Sequence, residues 1–163
     1  HYACAEEARY PCILKSATGD FGRDCHIVAS CKEVGQLARS GPHWLLQELV
    51  PGRFEYATSL LVLRGVVQEV VGMAYEYEQE VYVWPRVRLV RKEPRTVPLS
   101  ELDVMRQFVQ GYTGICNFNY KVDSDGLLRL FEINARVGGD LVTDAPRDVA
   151  RAFFEKLDTL DER

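Results

Sequence analysis

Asparagine and glutamate side chains alternate with apolar ones in two runs, 114–122 and 128–136, of this 163-residue chain. The polar residues best suited to bind a ligand are Asn117, Asn119, Glu132 and Asn134. One carboxylate and three amides can supply the oxygen ligands that a hard cation such as Mg²⁺ or Ca²⁺ accepts. Mg²⁺ usually takes one or two protein carboxylates and leaves its other positions to water and phosphate oxygens. The set therefore suggests a metal–nucleotide site, and the alternative interpretation is a solvated polar face of two strands.

The dipeptide Asp125-Gly126 between the two runs predicts how these side chains meet. Asp-Gly accepts positive φ at both central positions of a two-residue type I′ turn, so we expect a β-hairpin in which Ser124 faces Leu127. The same register makes directly opposed pairs of Asn119 with Glu132 and of Asn117 with Asn134. The alternating apolar residues, which we expect on a core face, are Cys116, Phe118, Tyr120, Phe131, Ile133 and Ala135.

Periodicity in the rest of the chain predicts an α+β protein that can position this hairpin. Alternating or continuous apolar runs indicate strands at 10–15, 25–29, 44–50, 54–63, 66–77 and 80–90. Ser30 and Glu33 form a capping box for a short helix, and a second helix is expected over 100–110. We expect Asp144 to cap a last helix with Pro146 in its first turn.

Composition excludes several classes of protein. The net charge is −4 with dispersed basic residues, which argues against a nucleic-acid partner. No apolar run approaches the roughly 20 residues that cross a membrane, so we expect no membrane partner. Five cysteines form no C-x-x-C pair, and we expect them reduced in the interior of a cytoplasmic protein.

The second run ends in Glu132-Ile133-Asn134-Ala135-Arg136, and the first contains Gly114-x-x-Asn117-Phe118-Asn119. Together they resemble the metal-binding hairpin of the ATP-grasp superfamily, in which an acid or amide and a Glu-x-Asn hold Mg²⁺ and a nearby Arg meets the phosphates. The resemblance implies that Glu132, Asn134 and Asn119 bind Mg²⁺ or Mn²⁺ and that Arg136 stabilises the transferring phosphoryl group. Many members have an acid where Asn119 stands, so we expect Mg²⁺ binding here to depend strongly on the phosphates of ATP.

Further stretches resemble the superfamily in its order. Pro11 to Lys15 precedes the loop 16–24, which implies that Lys15 contacts the α- and β-phosphates. The stretch 47–52 resembles the adenine-binding hinge, with the carbonyl of Glu48 accepting from the exocyclic amine and the N–H of Val50 donating to the ring. Glu55 matches the acid that binds the ribose hydroxyls.

The resemblance implies an ATP-grasp fold of two α+β subdomains, 1–50 and 51–163, with antiparallel sheets that sandwich the nucleotide. It also implies a ligase that phosphorylates a small carboxylate for attack by an amine, and 136–140 favours an amino-acid ligase. A non-catalytic nucleotide-binding or interaction module of the same fold and a kinase of that fold are the alternatives. The chain does not begin with Met, so we expect a fragment that a further N-terminal domain precedes in the full-length protein.

Overall fold

A computed structural model describes residues 1–17, 24–38 and 43–161 of the chain. It is an α+β protein with two antiparallel sheets, as predicted. The chain forms two compact units, His1–Arg53 with Glu78–Arg88 and Phe54–Tyr77 with Leu89–Arg163. The predicted division into 1–50 and 51–163 stays a prediction, and the units differ from it by placing 78–88 with the first of them.

The first unit contains a three-stranded sheet with the order β2-β1-β3 and one helix. Its elements are β1 (Cys12–Ser16), β2 (Cys25–Val28), α1 (Cys31–Leu37) and β3 (Trp44–Glu48). Cys12 and Leu14 point from the central strand into a small core, because alternate strand residues share a face. Ser30 caps α1 as predicted, since its Oγ accepts the N–H of Glu33 at 3.3 Å. The predicted phosphate loop lies mostly outside the described residues, as does the end predicted for this helix near Gly41.

The second unit contains a five-stranded antiparallel sheet with the order β6-β5-β4-β7-β8. Its strands are β4 (Phe54–Leu63), β5 (Val66–Tyr77), β6 (Leu89–Arg95), β7 (Gly114–Val122) and β8 (Leu128–Asn134). The strand predicted over 80–90 is wrong, because β6 begins only at Leu89. Pro85 has no N–H for a ladder, and the backbone around it turns locally, with the N–H of Arg86 donated to the carbonyl of Val83 at 2.9 Å.

Helices cover both faces of this five-stranded sheet. The helix α2 (Leu99–Phe108) packs Leu102 and Met105 against one face. A π-helical turn, Asp140–Asp144, and the helix α3 (Arg147–Asp161) cover the other, where Leu141 and Phe153 are fully buried. Asp144 does not cap α3 as predicted. The carbonyl of Pro146 accepts the N–H of Ala150 at 2.9 Å instead, and Asp144 bonds to side chains of the sheet.

The β7–β8 hairpin has the predicted pairs but a different turn. Asp123 faces Leu127 across a three-residue loop in which Gly126 has a φ of 78°. The predicted two-residue turn is therefore wrong by one residue. An irregularity between Asn119 and Tyr120, where Phe131 is the extra residue on β8, shifts the register back by one. The two differences cancel, so the pairs beyond the bulge are Asn119 with Glu132 and Asn117 with Asn134.

The predicted core face is correct for β7 and only partly so for β8. Phe118 and Tyr120 are fully buried, whereas Ile133 is 40% exposed and Ala135 is exposed. The strand β8 lies at the edge of the sheet, where one side has no neighbouring strand to cover it. The cysteines are all free thiols, but the prediction that they lie inside fails for the exposed Cys4 and Cys31.

No helix in the described ranges is both long and apolar enough to cross a membrane.

Candidate functional site

The candidate site lies on the face of the five-stranded sheet that carries the π-helical turn. The register pairs Ala57 with Asn119 and Asn119 with Glu132, so the polar side chains of β7 and β8 lie on the same face. Alternation along β4 adds Glu55 to this face, two residues before Ala57. The structure thus brings together four of the residues that the sequence singled out in this unit: Glu55, Asn119, Glu132 and Asn134.

Asn117 is the centre of a buried hydrogen-bond network at this face. Its Nδ2 donates to Asp140 Oδ1 at 2.8 Å and to Ser59 Oγ at 3.2 Å, and its Oδ1 accepts from Asn119 Nδ2 at 2.8 Å. The side chain is 3% exposed. Because this buried side chain already has partners for its NH₂ and its oxygen, Asn117 is not available to the oxygen cluster that the sequence suggested, and Asn119, Glu132 and Asn134 remain.

These three side chains fit a divalent cation that a bound phosphate helps to hold. Asn119 uses only its Nδ2, which leaves its Oδ1 as the outward atom. In the part of the chain that the structure describes, Glu132 and Asn134 make no side-chain hydrogen bond or ion pair, and Glu132 is exposed. A hard cation accepts this donor set of one carboxylate and two amide oxygens. The described residues contain no group of three or more His, Cys, Asp and Glu side chains that could hold a metal alone.

Arg136 follows the end of β8 and is exposed. Its guanidinium donates to the carbonyl of Val137 at 3.2 Å, which is a single bond to the neighbouring backbone. Most of its five N–H donors are therefore directed at solvent in the described structure. A guanidinium in this state can bind a phosphate oxygen without first breaking an ion pair.

Lys121 is a further residue of this face, which the sequence analysis did not single out. It follows Asn117 and Asn119 in the same alternation, and the β4–β7 register, continued by one pair, places it opposite Glu55. The side chain is 3% exposed, and burial lowers the pKa of its ammonium while the charge of Glu55 acts in the opposite direction. Extending the polar alternation by two residues would have found it.

Hydrogen bonds join the π-helical turn to strands β5 and β6 through side chains that the sequence analysis did not single out. Asp144 accepts from Tyr75 Oη at 2.8 Å and from Lys92 Nζ, and Tyr75 and Lys92 are opposite each other on β5 and β6. Burial opposes ionisation of Asp144, but the bonds from Lys92 and Tyr75 outweigh it and lower its pKa. Asp140, at the other end of the turn, is 7% exposed, and burial raises its pKa.

The remaining candidate residues belong to the first unit. Lys15 lies on the central strand β1 between Cys25 and Leu45, on the face opposite Cys12 and Leu14. Glu48 ends β3 and is exposed.

The rest of the predicted hinge continues from β3. Val50 is half-buried two residues beyond Glu48, and Gly52 has a φ of 130° and donates its N–H to the carbonyl of Glu80 at 3.0 Å. The predicted hinge is thus an irregular segment that directly follows a strand.

Comparison with solved structures identifies the fold. An L-amino acid ligase from Bacillus licheniformis superimposes with a TM-score of 0.58 at 18% identity, covering 84% of this chain and 34% of that one. A biotin carboxylase complexed with β-γ-ATP, from Campylobacter jejuni, gives a TM-score of 0.61 at 16% identity over 93% of this chain and 37% of that one. A carboxyaminoimidazole ribonucleotide synthase from Aspergillus clavatus, complexed with ATP, gives 0.55 at 18% identity over 85% and 38%.

These similarities are structural, because no protein-family model and no curated protein matches the sequence. The chain spans between 34% and 38% of the length of the three structures. Another structure of the same fold is an ATP-grasp ligase, PsnB, complexed with a minimal precursor, with a TM-score of 0.56. The chain therefore has the ATP-grasp fold, and the resemblance that its hairpin motif suggested is confirmed at the level of the fold.

Proposed function

We propose that the chain is the nucleotide-binding part of an ATP-dependent ligase that joins a small carboxylate to an amine. The observation that carries this proposal is the set of oxygen-bearing side chains of Asn119, Glu132 and Asn134, which share one face of the hairpin in a sheet with the ATP-grasp fold. A fold alone hosts many functions, so it is the chemistry of this site that supports a ligase.

The second unit supplies the groups for the metal and the phosphates. Glu132, Asn134 and Asn119 would hold Mg²⁺ or Mn²⁺. When bound, Mg²⁺ would supply positive charge against the charge that develops on the transferring phosphoryl group. Arg136 would add its guanidinium to the oxygens of the same group. Glu55 would accept hydrogen bonds from the ribose hydroxyls, with the ammonium of Lys121 balancing its charge.

The first unit supplies the groups for the base and the inner phosphates. Lys15 would bind the α- and β-phosphates as a point charge. The carbonyl of Glu48 would accept the exocyclic amine of adenine, and the N–H of Val50 would donate to a ring nitrogen. Backbone recognition of this kind needs an irregular segment beside a strand, and the segment after β3 provides one.

The proposed reaction has two balanced steps. A carboxylate oxygen of the substrate attacks the γ-phosphorus of ATP, and the bond to the bridging oxygen breaks to give an acyl phosphate and ADP. The amine then attacks the carbonyl carbon, releases inorganic phosphate and loses a proton to form an amide. The protein contributes by positioning the reactants and by neutralising charge. An amino acid as substrate is the variant that the similarity to an L-amino acid ligase supports.

Calorimetric titration with a non-hydrolysable ATP analogue, with and without Mg²⁺, tests the site. We expect binding that strengthens at least about tenfold with Mg²⁺, and we expect Glu132→Ala to abolish the Mg²⁺ dependence. Glu155→Ala is the matched control, because it removes an exposed carboxylate from α3, an element that contributes no proposed metal ligand. Equal Mg²⁺ dependence in the two variants would refute the metal assignment.

Release of ADP tests the chemistry. We expect ATP turnover by the longest natural form of the protein only when both a carboxylate and an amine are present. An amino acid is the first substrate to test. Nucleotide binding without any turnover, across a panel of amino acids, would refute the proposed ligase function and favour a non-catalytic nucleotide-binding module. Turnover that needs only an alcohol or a phosphate acceptor would refute the ligase function and favour a kinase.

A further inference from the structure

A continuous line of hydrogen bonds connects a buried carboxylate to the outward oxygen of Asn119. Asp140 Oδ1 accepts from Asn117 Nδ2 at 2.8 Å, and Asn117 Oδ1 accepts from Asn119 Nδ2 at 2.8 Å. Asp140 is held in turn by Ser59, whose hydroxyl donates to Oδ2 at 3.2 Å. We name the line Asp140–Asn117–Asn119 the amide relay.

The amide relay has a direction that Asp140 sets. Both oxygens of the Asp140 carboxylate act as acceptors here, Oδ1 from Asn117 and Oδ2 from Ser59, whereas an amide accepts at one end and donates at the other. Asn117 must therefore turn its NH₂ to Asp140 and its oxygen to Asn119. Asn119 must then turn its own NH₂ inward, which leaves its oxygen facing outward beside Glu132.

The geometry points to Asp140 as a positioning residue that makes Asn119 present an oxygen, and not an NH₂, to a cation. This inference rests on the proposed function for its purpose, but the orientation of Asn119 can be observed without any ligand. Two features show that the carboxylate is held in place for contact with Asn117. The π-helical turn begins at Asp140, and Gly138 has no side chain where a Cβ would overlap Asp140 Oδ1.

The first test reads the relay in the ligand-free protein. The substitution Asp140→Asn allows the reversed direction, because the new amide would offer an NH₂ to Asn117 as readily as an oxygen. In ¹⁵N-labelled protein we expect a single, slowly exchanging side-chain NH₂ for Asn119. In Asp140→Asn we expect a second set of signals or at least about fivefold faster exchange with solvent.

The matched control is Asp144→Asn, which removes a carboxylate from the other end of the same turn and weakens its bonds to Tyr75 and Lys92. A change in the Asn119 signals that is equal in the two variants would mean that only the turn was loosened, and it would overturn the inference. An unchanged Asn119 signal in Asp140→Asn would overturn it as well.

The second test moves the carboxylate from one end of the relay to the other. In Asn119→Asp the oxygen of Asn117 faces an acceptor at position 119, and its NH₂ cannot turn away from Asp140. Adding Asp140→Asn lets the whole relay reverse, with Asn117 donating to the new carboxylate.

We expect Asn119→Asp alone to lower the folding equilibrium constant by about tenfold, the value of one hydrogen bond. We expect the double variant to recover most of that loss. Additive effects of the two substitutions would overturn the direction assigned to the relay.

The third readout is the Mg²⁺ dependence of nucleotide binding. If the two directions are equally populated in Asp140→Asn, half of the molecules present an oxygen. The half-saturating Mg²⁺ concentration should then rise about twofold or more, with metal-free nucleotide affinity unchanged. Absence of nucleotide binding by the parent chain would refute the proposed function. The first two tests would still show whether Asp140 sets the orientation of the Asn119 amide.

Discussion

Gly138 is the position where one methyl group should damage the candidate site most. It is buried, and a Cβ added to it would overlap Asp140 Oδ1 and lie 2.6 Å from both Cγ and Nδ2 of Asn117. None of these atoms can move without breaking the hydrogen bond between Asn117 and Asp140. We therefore expect Gly138→Ala to displace the carboxylate and to disconnect the amide relay.

The cost follows from two separate effects. Overpacking a close contact costs about 1–3 kcal/mol, and loss of a hydrogen bond to a charged acceptor costs about 1.5–3 kcal/mol. Their sum, roughly 2.5–6 kcal/mol, is a large part of the total stability of a domain, which is about 5–15 kcal/mol. For a chain of 163 residues this lowers the melting temperature by on the order of 10 °C.

The neighbouring glycine is a built-in control. Gly139 has φ of −62° and ψ of −34°, and a Cβ there would meet no atom within 4 Å. Alanine fits helical dihedrals, so Gly139→Ala should leave the stability unchanged or raise it by up to about 1 kcal/mol. Both variants are compared by calorimetry and by urea unfolding. Melting temperatures that agree within about 2 °C would refute the view that Gly138 is required for space beside Asp140.

Three further predictions concern groups outside the relay. Arg95→Met should lower the unfolding free energy by about 3 kcal/mol in urea titrations. The reason is that Glu101, which is 8% exposed, loses a two-pronged ion pair at 2.6 and 2.9 Å. Arg91→Met removes an exposed arginine and should cost far less. Burial and a hydrogen bond to Glu101 raise the pKa of Tyr120 above its ordinary value of 10.0. The stability that the protonated Tyr120 hydroxyl contributes is fully present below pH 10 and is lost as the pH rises further. Above pH 10 the urea midpoint of unfolding should therefore fall less steeply with pH in Tyr120→Phe than in the parent chain. Asp123→Ala should speed hydrogen exchange in the hairpin loop, because that carboxylate accepts two backbone N–H groups at 2.9 and 3.0 Å; unchanged exchange would contradict the loop geometry.

Local pattern was sufficient for the long strands and for the hairpin that carries the candidate metal residues. The predicted strands 54–63 and 66–77 match β4 and β5, since a strand with an apolar face has a period that can be counted in the sequence. The predicted strand over 80–90 failed. Its apolar content resembles that of a strand, but Pro85 interrupts the ladder, and periodicity carries no information about which backbone groups find partners.

The pairing of Asn119 with Glu132 was predicted correctly by an argument that was wrong in two compensating ways. Asp-Gly favours a tight turn but does not exclude the three-residue loop, in which Asp123 binds the backbone of the turn with its carboxylate. The bulge at Phe131 depends on what the strand packs against, so no local sequence signal fixes it. The polar pairs beyond the bulge came out right because the two shifts of one residue have opposite signs, whereas Phe131, the extra residue, was assigned to the core face in error.

The sequence by itself determined the residue types at the site and the alternation that puts them on one face of two strands, because both follow from the side-chain period of a strand. Only the tertiary structure decided which of those groups remain available. Asn117 and Asn119 look alike in the sequence, yet Asn117 is committed to Asp140 and Ser59, from strands and turns distant along the chain. Hydrogen-bond direction is a property of neighbours in space, and a carboxylate 23 residues from Asn117 sets the orientation of the amide that Asn119 presents.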